Sequence, residues 1–153
     1  NQKKNFLLVS ILFVQLLTIW FLSSFIPFQD YYDWIYQSQI LFEIWNGNPL
    51  AETHFEITSF WEFPPNGFIT FFLALLQFLV SPSAAGKVLL SIIILLFNLG
   101  GYLLVTSVQP KSPFRFLVLL FPFHFFFYKG FLSYCLGLAI LLNLIAFLNR
   151  NRN

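Results

Sequence analysis

From Phe6 to Phe28 the chain carries no charged residue, and the same is true from Gly67 to Val80, from Val88 to Val108 and from Phe131 to Leu148. About 20 apolar residues in a row is the length that crosses bilayer hydrocarbon as a helix. Five apolar runs are present, at 6–28, 67–80, 88–108, 116–128 and 131–148; the second and fourth fall short, and Pro122 breaks the fourth. Lipid offers no partner to a free backbone N–H or C=O, so only helices and closed barrels survive there. The period-two alternation of a membrane barrel is absent. The sequence therefore predicts an all-α, polytopic transmembrane helical bundle, one module over residues 1–153, with helices at about 6–28, 65–81, 86–108, 114–128 and 131–148.

Composition agrees. Only 9% of the 153 residues are charged, against about 25% in soluble domains, too few to cover a water-facing surface. The eight Lys and Arg form no stripe, so nucleic acid is not an expected partner. The absence of methionine, even at position 1, points to an excerpt of a longer chain. The first run lacks a small-x-small cleavage site and reads as a retained helix, not a signal peptide. A lone cysteine, Cys135, forms no internal disulfide and has no metal-ligand spacing; it reads as a small core side chain. Pro64 and Pro65 suit a helix N-terminus, and Pro110 and Pro113 punctuate a turn.

The stretch between the first two runs differs from the rest. Residues 29–66 hold all six acids, Asp30, Asp33, Glu43, Glu52, Glu56 and Glu62, and no Lys or Arg. Cytoplasmic loops are enriched in Lys and Arg. This segment is therefore expected on the outer face, as a loop over 29–64, with Lys3 and Lys4 holding the N-terminus in the cytoplasm. Within it, Tyr32, Ile35, Tyr36, Gln39, Ile40, Phe42, Glu43 and Trp45 recur at near-helical spacing. Residues 31–46 thus read as an amphipathic helix in the membrane interface, ended by Asn46-Gly47-Asn48-Pro49. If every run spans, four basic residues fall on each side. If 67–80 dips in and returns, six lie inside and two outside. The charge count prefers the second arrangement.

Several side chains can carry chemistry. Asp30 and Asp33 are three apart and share a helix face. Asp30 is either the cap of the helix at a membrane exit or, with Asp33, a general base or cation ligand at the water–lipid boundary. A partly desolvated carboxylate is a stronger base, and two carboxylates suit a Mg²⁺ or Mn²⁺ ion. Glu52, His54 and Glu56 lie on one side of the stretch if it is extended, a second possible metal set or simply a polar loop. His124 is polar within an apolar run and sits either in the bundle interior or at a helix end. Lys129-Gly130 is a turn between two helices. Lys111, Arg115, Lys129 and His124 are the candidates for holding a lipid phosphate, alongside an ordinary loop role.

Three stretches together resemble a known family. They are Gln29-Asp30-Tyr31-Tyr32-Asp33 after the first helix; Phe63-Pro64-Pro65-Asn66-Gly67 opening the second, followed by Ala85-Gly86-Lys87 and Gly100-Gly101-Tyr102; and Lys129-Gly130-Phe131-Leu132-Ser133-Tyr134 before a Gly-Leu-rich helix. In order and spacing they are similar to the N-terminal part of bacterial membrane glycosyltransferases of the GT-C type. The resemblance implies a sugar donor on a polyprenyl phosphate, a glycan, lipid or protein acceptor, and an active site on the outer face of the bacterial inner membrane. It also implies that the first outer-loop aspartate, here Asp30 with Asp33 second, acts as base or metal ligand, and that every helix spans, which favours the first topology. The chain departs from the pattern where Asp33 stands near a usual histidine and Ser133 replaces a usual asparagine. The competing readings are a transporter or flippase of lipid-linked glycans, for which the Pro122–His124 break is the feature to watch, and a non-catalytic membrane assembly subunit.

Overall fold

A computed structural model describes residues 2–21, 29–55, 67–111 and 113–150, with side chains described from residue 6 onward and outside 113–115. It is all-helical, with no strand among the described residues. In chain order the elements are α1 (Gln2–Phe21), α2 (Tyr31–Trp45), α3 (Pro49–His54), α4 (Gly67–Leu76), α5 (Pro82–Val108), a 3₁₀ helix (Pro113–Leu120), α6 (Phe125–Tyr128) and α7 (Leu132–Arg150). By length and composition two of them, α5 and α7, are long and apolar enough to cross a membrane.

α5 is the central helix: α1, α2, α4, the 3₁₀ helix and α7 all pack on it. Its start is written in the sequence. Ser81 Oγ accepts from the Ala84 N–H at 3.4 Å, and Pro82 follows at the first helical position, where its missing N–H costs nothing. It ends at Gln109, whose φ of −138° has left the helical region; the proline that follows disfavours the helical conformation at this residue. Leu89, Leu90, Ile93, Ile94 and Phe97 on its inner faces are fully buried, with Ile69 and Leu73 of α4 and Leu132 of α7. Gly100 lets α7 approach closely: a Cβ there would sit 2.9 Å from the Asn143 backbone nitrogen. Small residues at helix contacts are how apolar helices gain close packing in lipid.

Three polar side chains hold the middle of the bundle. Asn98 donates from Nδ2 to Gln15 Oε1 at 2.7 Å, Gln15 donates from Nε2 to the Leu119 carbonyl at 2.6 Å, and Asn143 donates from Nδ2 to the Leu96 carbonyl at 2.8 Å. These bonds join α5 to α1, the 3₁₀ helix to α1, and α7 to α5.

The contacts also fix direction. Trp20 Nε1 donates to Ser91 Oγ at 3.2 Å and Lys87 Nζ to the Trp20 carbonyl at 3.4 Å, Gln15 meets Asn98, and Leu8 faces Tyr102 across a small cavity. α1 and α5 are thus antiparallel, and α5 begins at the end of the bundle where α1 stops. Asn143 lies beside Leu96 and Gly100, while Arg150 shares a cavity with Thr106 and Ser107, so α7 runs parallel to α5. The stretch between them returns: Val118 lies against Gly101, and the His124 ring meets Phe97 edge-on at 5.5 Å. The near end therefore gathers Trp20, Asp30, Lys87 and Lys129. The far end has the start of α1 with Lys3 and Lys4, then Lys111, Arg115 and Arg150.

This corrects the expectation that every run crosses in turn. That order would put Lys87 at the opposite end from Asp30. Instead α4 has 10 residues, about 15 Å at 1.5 Å per residue, half of a roughly 30 Å hydrocarbon layer, and α5 starts again at the near end. The fourth run is not one helix over 114–128 either. It is a 3₁₀ helix, a turn at Pro122 and the single turn α6, because proline cannot donate to a continuing α-helix. Pro64, Pro65 and Asn66, expected to open the second helix, lie outside the described residues.

Candidate functional site at the near end of the bundle

α2 opens directly after the near-end stretch Gln29-Asp30. Asp30 holds the N-cap position, yet its carboxylate makes no capping hydrogen bond; its backbone carbonyl instead accepts from the Trp34 N–H at 3.3 Å. Asp30 is thus the N-cap by position and through its backbone carbonyl, while its carboxylate takes no part in the cap. Asp30 is half-buried, while Asp33, one turn on, is exposed in the first turn of α2, where a negative charge is favoured by the helix dipole.

What holds Asp30 in place comes from a hundred residues away. The Gln29 N–H donates to the Tyr128 carbonyl and the Asp30 N–H to the Lys129 carbonyl, each at 3.3 Å. Lys129 Nζ donates to Gln29 Oε1 at 2.7 Å, and Trp34 Nε1 donates to the Gly130 carbonyl at 3.0 Å. Gly130 has φ of +80°, and a Cβ there would meet the Asp30 nitrogen at 2.9 Å. Only glycine accepts both the left-handed backbone and that approach. The result is a carboxylate and an ammonium on adjacent strands of chain. The ammonium lies 5.6 Å over the Phe125 ring and has three protons to donate, one of them given to Gln29.

Tyr31, the next residue, turns inward. It is buried, its hydroxyl packs against Gly86, and burial, then the neighbouring Tyr32, push its phenol well above the usual range.

The other candidates separate. Lys111 is exposed at the far end, away from Asp30. Arg115 is placed by backbone in the far-end 3₁₀ helix, and its side chain lies outside the described residues. His124 is a helix end: it is the N-cap of α6, and its Nδ1 accepts from the Phe127 N–H at 3.1 Å. Glu52 and His54 are not on one side of an extended chain. Residues 49–54 are α-helical, begun by Pro49 and by Asn48, whose side chain accepts from the Leu50 N–H at 3.1 Å. Positions two apart on a helix point to opposite sides. His54 Nδ1 instead lies 2.9 Å from the Leu50 carbonyl, and Glu56 is outside the described residues. Among the described residues no three His, Cys, Asp or Glu side chains converge as a metal set. Asp30 and Asp33 remain as a carboxylate pair, a donor set that suits a Mg²⁺ or Mn²⁺ ion arriving with phosphate and keeping several waters.

Sequence reasoning gave Gln29 and Lys87 only as motif residues and assigned no site role to them or to Trp34. Gln29 and Trp34 matter through hydrogen bonds to Lys129 and Gly130, and no spacing along the chain announces such a partnership. Lys87 joins the near end because α5 begins there. No protein-family model matches the chain, and no curated protein and no solved structure matches it significantly. The family resemblance therefore rests on the quoted motifs.

Proposed function

We propose that the chain is the N-terminal module of a membrane glycosyltransferase of GT-C type, taking a sugar from a polyprenyl-phosphate donor and passing it to an acceptor hydroxyl at the outer face of a bacterial inner membrane. In this reading α1, α5, the 113–130 stretch and α7 cross the membrane, α4 dips in and returns, and the near end faces outward. The basic residues support that orientation. Of those in described segments, Lys3, Lys4, Lys111, Arg115 and Arg150 lie at the far end, and only Lys87 and Lys129 at the near end. Lys and Arg favour the cytoplasmic side.

The observation that carries the functional reading is Asp30, a half-buried residue whose carboxylate makes no capping bond and whose backbone N–H is bonded to the Lys129 carbonyl. A polyprenyl phosphate is a good leaving group, so the chemistry needs a base for the acceptor hydroxyl and a positive charge near the phosphate. Asp30 takes the proton from the acceptor oxygen. Lys129, with donors beyond its bond to Gln29, holds the phosphate oxygens as the acceptor oxygen bonds to the sugar's anomeric carbon and the polyprenyl phosphate departs. Gln29 and Gly130 position the pair. Asp33, exposed one turn along, adds its negative charge on the acceptor side. A bound Mg²⁺ or Mn²⁺ would supply charge neutralisation at the phosphate.

The test uses the full-length parent protein in liposomes with a panel of radiolabelled polyprenyl-phosphate sugars. Wild type should transfer, and Asp30→Asn should lose at least about 100-fold of the rate, the usual worth of a general base, while expressing normally. Lys129→Ala should weaken donor use more than Lys111→Ala. Transfer by Asp30→Asn at the wild-type rate would sink the proposal and shift weight to a flippase or an assembly subunit.

A further inference from the structure

A second concave site lies along α2, on the side turned away from the core. Tyr36, Gln39 and Glu43 follow at helical spacing, and the short helix α3 closes over them with Ala51, His54 and Phe55. The site is an open concavity of about 390 Å³, within the size range of small-molecule pockets. Its polar wall is prearranged. Glu43 Oε1 accepts from Gln39 Nε2 at 3.2 Å, and Glu43 Oε2 accepts from Asn48 Nδ2 at 3.3 Å. His54 is held by the Leu50 carbonyl. Two aromatic side chains, Tyr36 and Phe55, are exposed at the same site, Tyr36 to 61%.

The inventory selects a ligand class. A carboxylate, an amide, an imidazole and a phenol offer both hydrogen-bond acceptors and donors, and charge-assisted bonds to the carboxylate are the strong ones. The aromatic faces suit the apolar face of a ring. The segment 29–66 holds all six acids of the chain and no Lys or Arg, which disfavours any anionic ligand. A hydroxyl-rich, uncharged ring fits all three conditions. Phosphate, a nucleotide or a uronic acid does not.

We infer that the α2–α3 pocket is a subsite for a neutral pyranoside, the sugar portion of the acceptor. This deepens the proposed function and rests on it for the word acceptor. The placement suits that role. Asp33 lies three residues before Tyr36, one turn along the same side of α2, so a saccharide in the pocket extends along the helix toward Asp33 and Asp30.

The experiment is ligand-observed NMR on the full-length protein in detergent, with methyl glycosides of glucose, galactose, mannose and N-acetylglucosamine, and methyl glucuronide as the anionic comparison. At least one neutral glycoside should bind, and at least tenfold more tightly than the glucuronide. Tyr36→Ala and Glu43→Gln should each weaken it at least tenfold. Tyr36 is exposed and Glu43 half-buried, and an unchanged thermal midpoint would show that each variant is folded. Asp30→Asn should leave this binding intact. Binding by none of the neutral glycosides, or binding that ignores both pocket variants, overturns the inference. Glycoside binding by a wild-type protein that transfers sugar from none of the donors keeps the pocket and removes the enzyme reading. Transfer without glycoside binding at the pocket does the reverse.

Discussion

Mid-bundle and the near end both place polar side chains in a chain that is 58% hydrophobic, but they use them differently. At mid-bundle, Gln15 and Asn98 are buried, uncharged and joined to each other and to the Leu119 carbonyl. At the near end, Asp30 and Lys129 are charged, half-buried and fixed through their backbones, with the Asp30 carboxylate free of the capping bond its position invites. The first arrangement spends hydrogen-bonding capacity on joining helices. The second keeps it available. A polar residue in an apolar sequence is thus informative about function only once its partners are known.

The largest expected effect is all-or-none and concerns which end faces out. In a Cys135→Ala background, Lys87→Cys should react with an impermeant thiol reagent added outside intact cells, and Lys111→Cys should react only after permeabilisation. The every-run-crosses order predicts the opposite for both positions, so one labelling experiment decides between them.

Next is the contact that joins the two halves of the near end. Gly47 and Gly130 both have positive φ, +70° and +80°, but a Cβ at Gly47 meets nothing within 4 Å. Gly47→Ala should cost about 1 kcal/mol, the left-handed penalty alone. Gly130→Ala should cost about 1–3 kcal/mol and lower transfer, since Asp30 must move. Equal stability losses in the two variants, read by thermal or denaturant unfolding in micelles, would show that the Asp30–Gly130 approach is slack.

Mid-bundle should behave the other way. Gln15→Leu removes two interhelical bonds and leaves the Leu119 carbonyl and Asn98 without them, an expected loss of roughly 1–2 kcal/mol. Transfer per folded molecule should not change. A large activity loss at unchanged stability would mean that Gln15 belongs to the chemistry after all.

The smallest effect is a pH dependence. Burial, and secondarily Tyr32, raise the Tyr31 phenol in the folded protein. A group raised on folding gives its full stabilisation below its unfolded pKa, about 10 for tyrosine, and loses it as pH climbs beyond that. The unfolding midpoint should fall above pH 10, and Tyr31→Phe should flatten that fall while Tyr36→Phe, at an exposed position, leaves it in place. An identical alkaline profile for all three proteins would remove Tyr31 as the cause.

Much was legible in the sequence. The apolar runs gave the all-helical class, because lipid-like composition leaves the backbone no other way to pair its own groups. Asn46-Gly47-Asn48-Pro49 marked the end of α2, and Ser81-Pro82 and Gln109-Pro110 bracket α5, because caps and prolines act within a few residues of themselves. The acid-only segment and the importance of Asp30 and Lys129 as candidates also came from local pattern. Tertiary structure alone decided the rest. That α5 starts at the end where α1 stops, so that Lys87 shares an end with Asp30, depends on α1 and α5 packing antiparallel through Gln15–Asn98 and Trp20–Ser91. That Asp30 leaves its cap unmade and Lys129 reaches Gln29 depends on chain segments a hundred residues apart docking around Gly130. Local chemistry writes helices and their ends; which ends meet is settled by packing between segments whose attraction no single stretch of sequence contains.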